Sequence, residues 1–153
     1  MEKVSLDEMD EVPDSATVCK PFTGSLNADE VSLNYYELSK EDSFAYGYHR
    51  HMKQEEIFLV LEGVVTFETE EGEIKVEEGE VIRFAPGEYQ RGVNKGSERV
   101  KAYAVGAPQE MGETEILKEC GYCGERTENT IAKEEDELVT RCLECDGVTE
   151  RFE

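Results

Sequence analysis

Two groups of side chains in this sequence can do chemistry. The first is His49 and His51, the only histidines in the chain, separated by one residue. On an extended strand, residues i and i+2 point to the same face, so both imidazoles can approach one metal ion. The same spacing also suits two surface imidazoles on a strand edge. The second group is Cys120, Cys123, Cys142 and Cys145, two C-x-x-C knuckles that bracket 18 residues. Four thiolates at this spacing form a closed tetrahedral set for zinc. A fifth cysteine, Cys19, stands alone, and an odd count fits a reducing compartment and a metal better than two disulfides.

The elements that must position these groups read as strands. The runs 31–39, 55–63, 64–76, 80–87 and 98–108 carry β-branched and aromatic residues and are separated by glycine-bearing turns. The 64–76 run divides around Glu71-Gly72 as a hairpin. No segment between 15 and 107 keeps a helical period, so this part of the chain reads as an all-β sandwich or barrel. Residues 1–14 read as a flexible acidic tail, and 107–118, with Pro108 and Gly112, as a linker. The last 35 or so residues are thin in apolar content, with cysteines where a core would be, and a unit of that size needs a staple. Between the knuckles, 127–141 reads as a hairpin turning at 133–137, and VTERF (148–152) as a third strand. The boundary falls near residue 114, which divides the chain into 1–14, 15–112 and 113–153.

Charge narrows the partners. The 153 residues include 16 Lys and Arg against 37 Asp and Glu, a net charge of −21. Such a surface argues against nucleic acid and against anionic membranes, both of which want cations. No apolar run is long enough to span a bilayer, and the acidic N-terminus lacks the apolar stretch of a secretory signal. The expectation is a cytoplasmic protein. A high-salt cytoplasm would screen the self-repulsion, and the composition resembles that of proteins from halophilic archaea.

The stretch YGYHRHMKQEEIFLVLEG (46–63) resembles the first motif of the cupin superfamily, with His49, His51, Glu56 and Gly63 at its positions. GEVIRFAPGEYQRGVN (79–94) resembles the second, with Gly79, Pro86 or neighbouring Ala85, Gly87 and Asn94 in its framework. Ser43 stands where the first motif has a glycine, and Gln90 where the second supplies a third histidine. The resemblance, over about 30–107, implies a cupin (double-stranded β-helix, or jelly-roll) barrel. It implies a divalent metal such as Fe, Mn, Ni or Zn on His49, His51 and Glu56, with Gln90 as a weaker oxygen donor. Glu55 competes with Glu56. Spacing to Gly63 favours Glu56, and strand parity does not decide, because both faces of 55–61 are apolar. Arg83 is read as pointing to solvent and pairing with the acidic surface.

The C-terminal segment resembles a zinc ribbon over about 118–153. A rubredoxin-like iron site is the chemical competitor, but it usually has a larger aromatic core than Tyr122 and Phe152 provide. With 13 acidic and 5 basic residues in 113–153, the ribbon reads as a structural or protein-docking module. The whole reads as a metal-binding cupin protein holding a small-molecule ligand in its barrel, with an appended structural zinc ribbon. Two other readings stand beside it. One is a metal-dependent dioxygenase or isomerase on a small oxygenated substrate. The other is a non-enzymatic ligand-sensing or docking module. Cupin barrels commonly pair through their sheets, so the resemblance admits a homodimer while leaving the oligomeric state open.

Overall fold

The computed structural model describes residues 1–152, and Glu153, the last residue of the expected ribbon, lies outside them. Alternating inward and outward side chains build thirteen strands. They are β1 (Val18–Pro21), β2 (Ser32–Leu38), β3 (Tyr48–His51), β4 (Glu55–Glu62), β5 (Val64–Thr69), β6 (Gly72–Glu77) and β7 (Val81–Phe84). β8 (Gln90–Val93), β9 (Val100–Ala107), β10 (Thr114–Cys120), β11 (Glu125–Glu134), β12 (Glu137–Cys142) and β13 (Val148–Phe152) complete the chain. A 3-10 turn at Leu6–Glu8 is the helical element of the described residues, and none of their helices is long and apolar enough to cross a membrane.

The strands form two sheets. One runs β1-β2-β9-β4-β7 and the other β13-β12-β11-β10-β3-β8-β5-β6. The first faces the β3-β8-β5-β6 part of the second across a shared core, the expected jelly-roll barrel. Leu38, Val60, Val65, Phe67 and Val100 are fully buried there, with Phe44, Phe58 and Phe84 packed around them. Gly63, which ends the first motif, has φ +81, and a Cβ on it would lie 2.9 Å from the Arg99 carbonyl, so glycine is required. Asn94 is buried and ties the second motif down, donating through Nδ2 to the carbonyls of Leu38 and Glu98.

Three local expectations change. The hairpin of 64–76 turns at Glu70 and Glu71, because Thr69 pairs directly with Gly72. The segment 1–14 is docked: Val4, Leu6 and Met9 pack on Val18, Phe22 and Tyr35, covering apolar residues on the outer face of β1 and β2. The Val12 amide also donates to the Cys19 carbonyl at 2.9 Å. Finally, much of the expected linker is strand. β10 occupies Thr114–Cys120, pairing with β11 on one side and β3 on the other, so the cysteine-bearing hairpins extend a barrel sheet. The third ribbon strand is found where it was expected, at Val148–Phe152.

Candidate metal centre and ligand cavity

β3 carries both histidines, and strand alternation turns both imidazoles inward, with ring centroids 4.9 Å apart. β4 resolves the ambiguity between the glutamates. Glu56 shares the inward face with the buried Phe58 and Val60, while Glu55 turns outward to an ion pair with Arg83. Glu56 Oε2 lies 3.7 Å from His49 Nε2 and 3.4 Å from His51 Nε2. β8 sets Gln90 directly opposite His49.

The far side of each ring is tied. His49 Nδ1 lies 3.0 Å from the Gly47 carbonyl, which can only accept, so in the neutral ring that a metal requires the proton sits on Nδ1 and the Nε2 lone pair faces the cluster, whereas in the metal-free protonated ring Nε2–H faces Glu56. His51 Nδ1 lies 2.8 Å from the Thr114 hydroxyl of β10, which can accept in the same way. Rings oriented by a partner on the other nitrogen are the usual support of a metal-ligating histidine. A first-row ion with bonds of about 2.1 Å needs donor-to-donor edges of about 3–3.5 Å; the His51–Glu56 edge of 3.4 Å meets this, the His49–Glu56 edge of 3.7 Å is slightly wider, and all three donors lie within 4.8 Å of one another. Gln90 joins the cluster through nitrogen: its Nε2 donates to Glu56 Oε2 at 2.8 Å and lies 3.4 Å from His49 Nε2. An oxygen contact from Gln90 to a metal would require turning the amide over and giving up the bond to Glu56.

Burial pushes the Glu56 carboxyl up, but hydrogen bonds and charge from His49 and His51 outweigh it and hold the group down at about 2. The cluster opens on a cavity of about 620 Å³. The inward residues of β2, Ser32, Asn34 and Tyr36, form one wall, and Phe44 contributes apolar surface. Asn129, Thr130 and Ile131 of β11 and Asp14 of the amino-terminal segment also line it. None of these drew attention in the sequence. The β2 residues are legible by parity, since Ser32, Asn34 and Tyr36 alternate with Leu33 and Tyr35. Asp14 and Thr114 carry no local signal, because both lie in segments that read as unstructured.

The second cluster forms at the end of the ribbon. Cys120 ends β10, Cys142 ends β12, and Cys123 and Cys145 lie in the turns that follow. All five cysteines are free thiols. Sγ atoms are 3.6 Å apart for Cys120 and Cys145, and 3.8 Å for Cys123 and Cys142. A tetrahedral ion with metal–sulfur bonds of about 2.3 Å requires edges near ~3.8 Å, so these four sulfurs also fit one ion. The Thr127 hydroxyl, 3.1 Å from Cys142 Sγ, is the main influence drawing that thiol down to about 6.

Comparison with known proteins agrees with this architecture. Residues 36–106 match a family model described as a cupin domain. No curated protein matches the chain. A sugar phosphate isomerase structure of the cupin superfamily from Silicibacter pomeroyi superposes with TM-score 0.64 at 17% identity, covering 97% of this chain and 92% of that one. A cupin 2 conserved barrel domain protein from Salinispora arenicola gives TM-score 0.57 at 20% identity, over 70% of this chain and 88% of that one. A recombinant oxalate oxidase in complex with glycolate gives 0.56 at 15% identity, over 72% and 60%. At these identities the likeness is one of fold.

The carboxyl of Glu56 sets an acid limit on stability in the metal-free protein. Its folded pKa, about 2, lies below the ordinary 4.5. The stabilisation it contributes is therefore full above the ordinary value and is lost as pH falls through about 2. It is on the order of 3 kcal/mol. Urea unfolding of metal-free protein at a series of pH values should show this loss, and Glu56→Gln should flatten the curve across the same window.

Proposed function

We propose that this chain, whose residues 36–106 match a cupin domain, holds a divalent first-row metal at His49, His51 and Glu56 and binds an oxygen-bearing small molecule beside it. The observation that carries this reading is the convergence of three donor atoms on the wall of a cavity, with both imidazoles tied from behind. Two imidazoles and one carboxylate leave coordination positions open to a ligand. The metal, when bound, supplies Lewis-acid polarisation of a ligand oxygen. The chain's own residues do the rest. Gln90 fixes the carboxylate of Glu56 through Nε2 and blocks its rotation away from the histidines. Phe44 and Phe58, whose tilted rings lie 5.0 Å apart in the buried core, make the barrel floor apolar. The four cysteines hold zinc as a structural ion, and their free thiols suit a reducing compartment such as the cytoplasm.

One observation favours a metal-dependent isomerase as a second reading. Asp14 places another carboxyl on the same cavity wall, and burial raises its pKa above the ordinary carboxylate value. A carboxyl whose charged form is disfavoured by burial is suited to passing a proton to or from a ligand oxygen or carbon.

Metal analysis tests the assignment. Protein purified without chelator should carry about one ion in the cysteine set and about one in the barrel. The double variant His49→Ala/His51→Ala should keep the first and lose the second. Retention of two ions by that variant contradicts the ligand set. Thr114→Val, which removes the partner of His51 Nδ1, should weaken barrel-metal affinity by about 10–100-fold. Thr114→Ser should restore it, and the cysteine-bound ion should be unaffected in both.

A further inference from the structure

We propose that the ligand of the barrel is an uncharged polyhydroxylated molecule of sugar size, and that its phosphorylated and carboxylated counterparts are excluded. This rests on the metal-site reading above and deepens it.

The argument is the chemistry of the cavity wall. Among the described residues, no lysine or arginine lines it. Three cations near wall residues in the chain are paired elsewhere. Lys118 donates to the Tyr46 carbonyl and pairs with Glu150, Arg50 pairs with Glu115, and Lys53 pairs with Glu110. The ionisable acids that do line the cavity are Glu56 and Asp14, so the acidic side chains of the wall are carboxyls with no cationic side chain among them. A phosphate group entering this space would leave water without gaining a guanidinium or ammonium partner, and only the one metal ion, already partly neutralised by Glu56, would offset its two negative charges. It would also approach a molecule of net charge −21.

What the wall does offer is neutral hydrogen-bonding capacity. Ser32 and Asn34 project from β2 on the same face as Tyr36, and Thr130 faces the cavity from β11. Hydroxyls and amides both donate and accept, which matches the dual character of sugar hydroxyls. A hydroxyl also brings a lone pair to the metal's open positions, whereas a protonated amine has none to offer. The volume of about 620 Å³ falls within the usual range for enclosing a small organic ligand. Both modules contribute to this wall, so the ribbon takes part in selecting the ligand as well as being stapled by its own ion. The contrast with the fold's relatives is chemical: two of the superposed proteins are named for a sugar phosphate or hold glycolate, and this wall has no side-chain cation to meet either anion.

Isothermal titration of the full-length, metal-loaded protein at low ionic strength tests the proposal. The probes are matched pairs: ribose and ribose 5-phosphate, xylose and xylose 5-phosphate, glucose and glucose 6-phosphate. The metal content of each sample is measured first, so that loss of the barrel ion is recognised as failure of the metal reading alone. The expected result is binding of at least one free sugar, with its phosphate weaker by about tenfold or more. Asn34→Arg, which places a cation on the wall, should narrow or reverse that preference while the barrel ion is retained. In a sample holding both ions, a phosphate that binds more tightly than its free sugar overturns the proposal. Absence of binding by every free sugar at its solubility limit overturns it equally.

Discussion

The site depends on how one short strand is held. β3 carries both imidazoles, yet β8 pairs with it at His49 alone. β10 pairs with all four of its residues, from Thr114 opposite His51 to Leu117 opposite Tyr48. The same strand supplies the hydroxyl behind His51 and then runs on to Cys120, about 20 Å further along. Close approach of the two segments needs a glycine just before β3, since a Cβ on Gly47 would lie 2.8 Å from Ile116 Cγ2. The segment that bears the thiolate cluster is thus a structural part of the histidine cluster. An ion bound by the cysteines would stiffen the hairpin that continues β10, and β10 pairs with every residue of β3.

Within the barrel, polarity is graded along each inward face. On β4 the order is Glu56, Phe58, Val60, from the cavity to the sealed floor. On β2 it is Ser32, Asn34, Tyr36, Leu38. The lower half packs aromatic rings against one another, with Phe58, Phe67 and Phe84 mutually within about 5–6 Å. That floor closes one end of the cavity and confines polar chemistry to the other. The depressed pKa of Glu56 belongs to the same gradient. Burial two residues above a phenylalanine works against the carboxylate, the two imidazoles outweigh it, and the Gln90 amide donates to the same oxygen.

The strand pattern, the histidine pair and the cysteine knuckles were legible because each depends on local spacing. Alternation by two brings His49 and His51 to one face whatever surrounds them. The choice between Glu55 and Glu56 was not legible from parity. Ile57, Leu59 and Leu61 make the outer face of β4 nearly as apolar as the inner one, and the packed barrel decides which face turns inward. β10 was hidden because its sequence, TEILKEC, is half charged and follows Pro108 and Gly112, and only pairing on both edges makes it a strand. Asp14 was hidden for a related reason. The three apolar residues that dock its segment, Val4, Leu6 and Met9, are spread too thinly to mark a strand or a helix.

Anomalous X-ray scattering from crystals of the full chain, purified without chelator, addresses the central claim most directly. The account requires two separate metal peaks. One lies among Cys120, Cys123, Cys142 and Cys145, and the other is enclosed by Nε2 of His49, Nε2 of His51 and the Glu56 carboxylate. A single peak at the cysteines, with Glu56 in direct hydrogen bonds to both imidazoles across the barrel site, would contradict it.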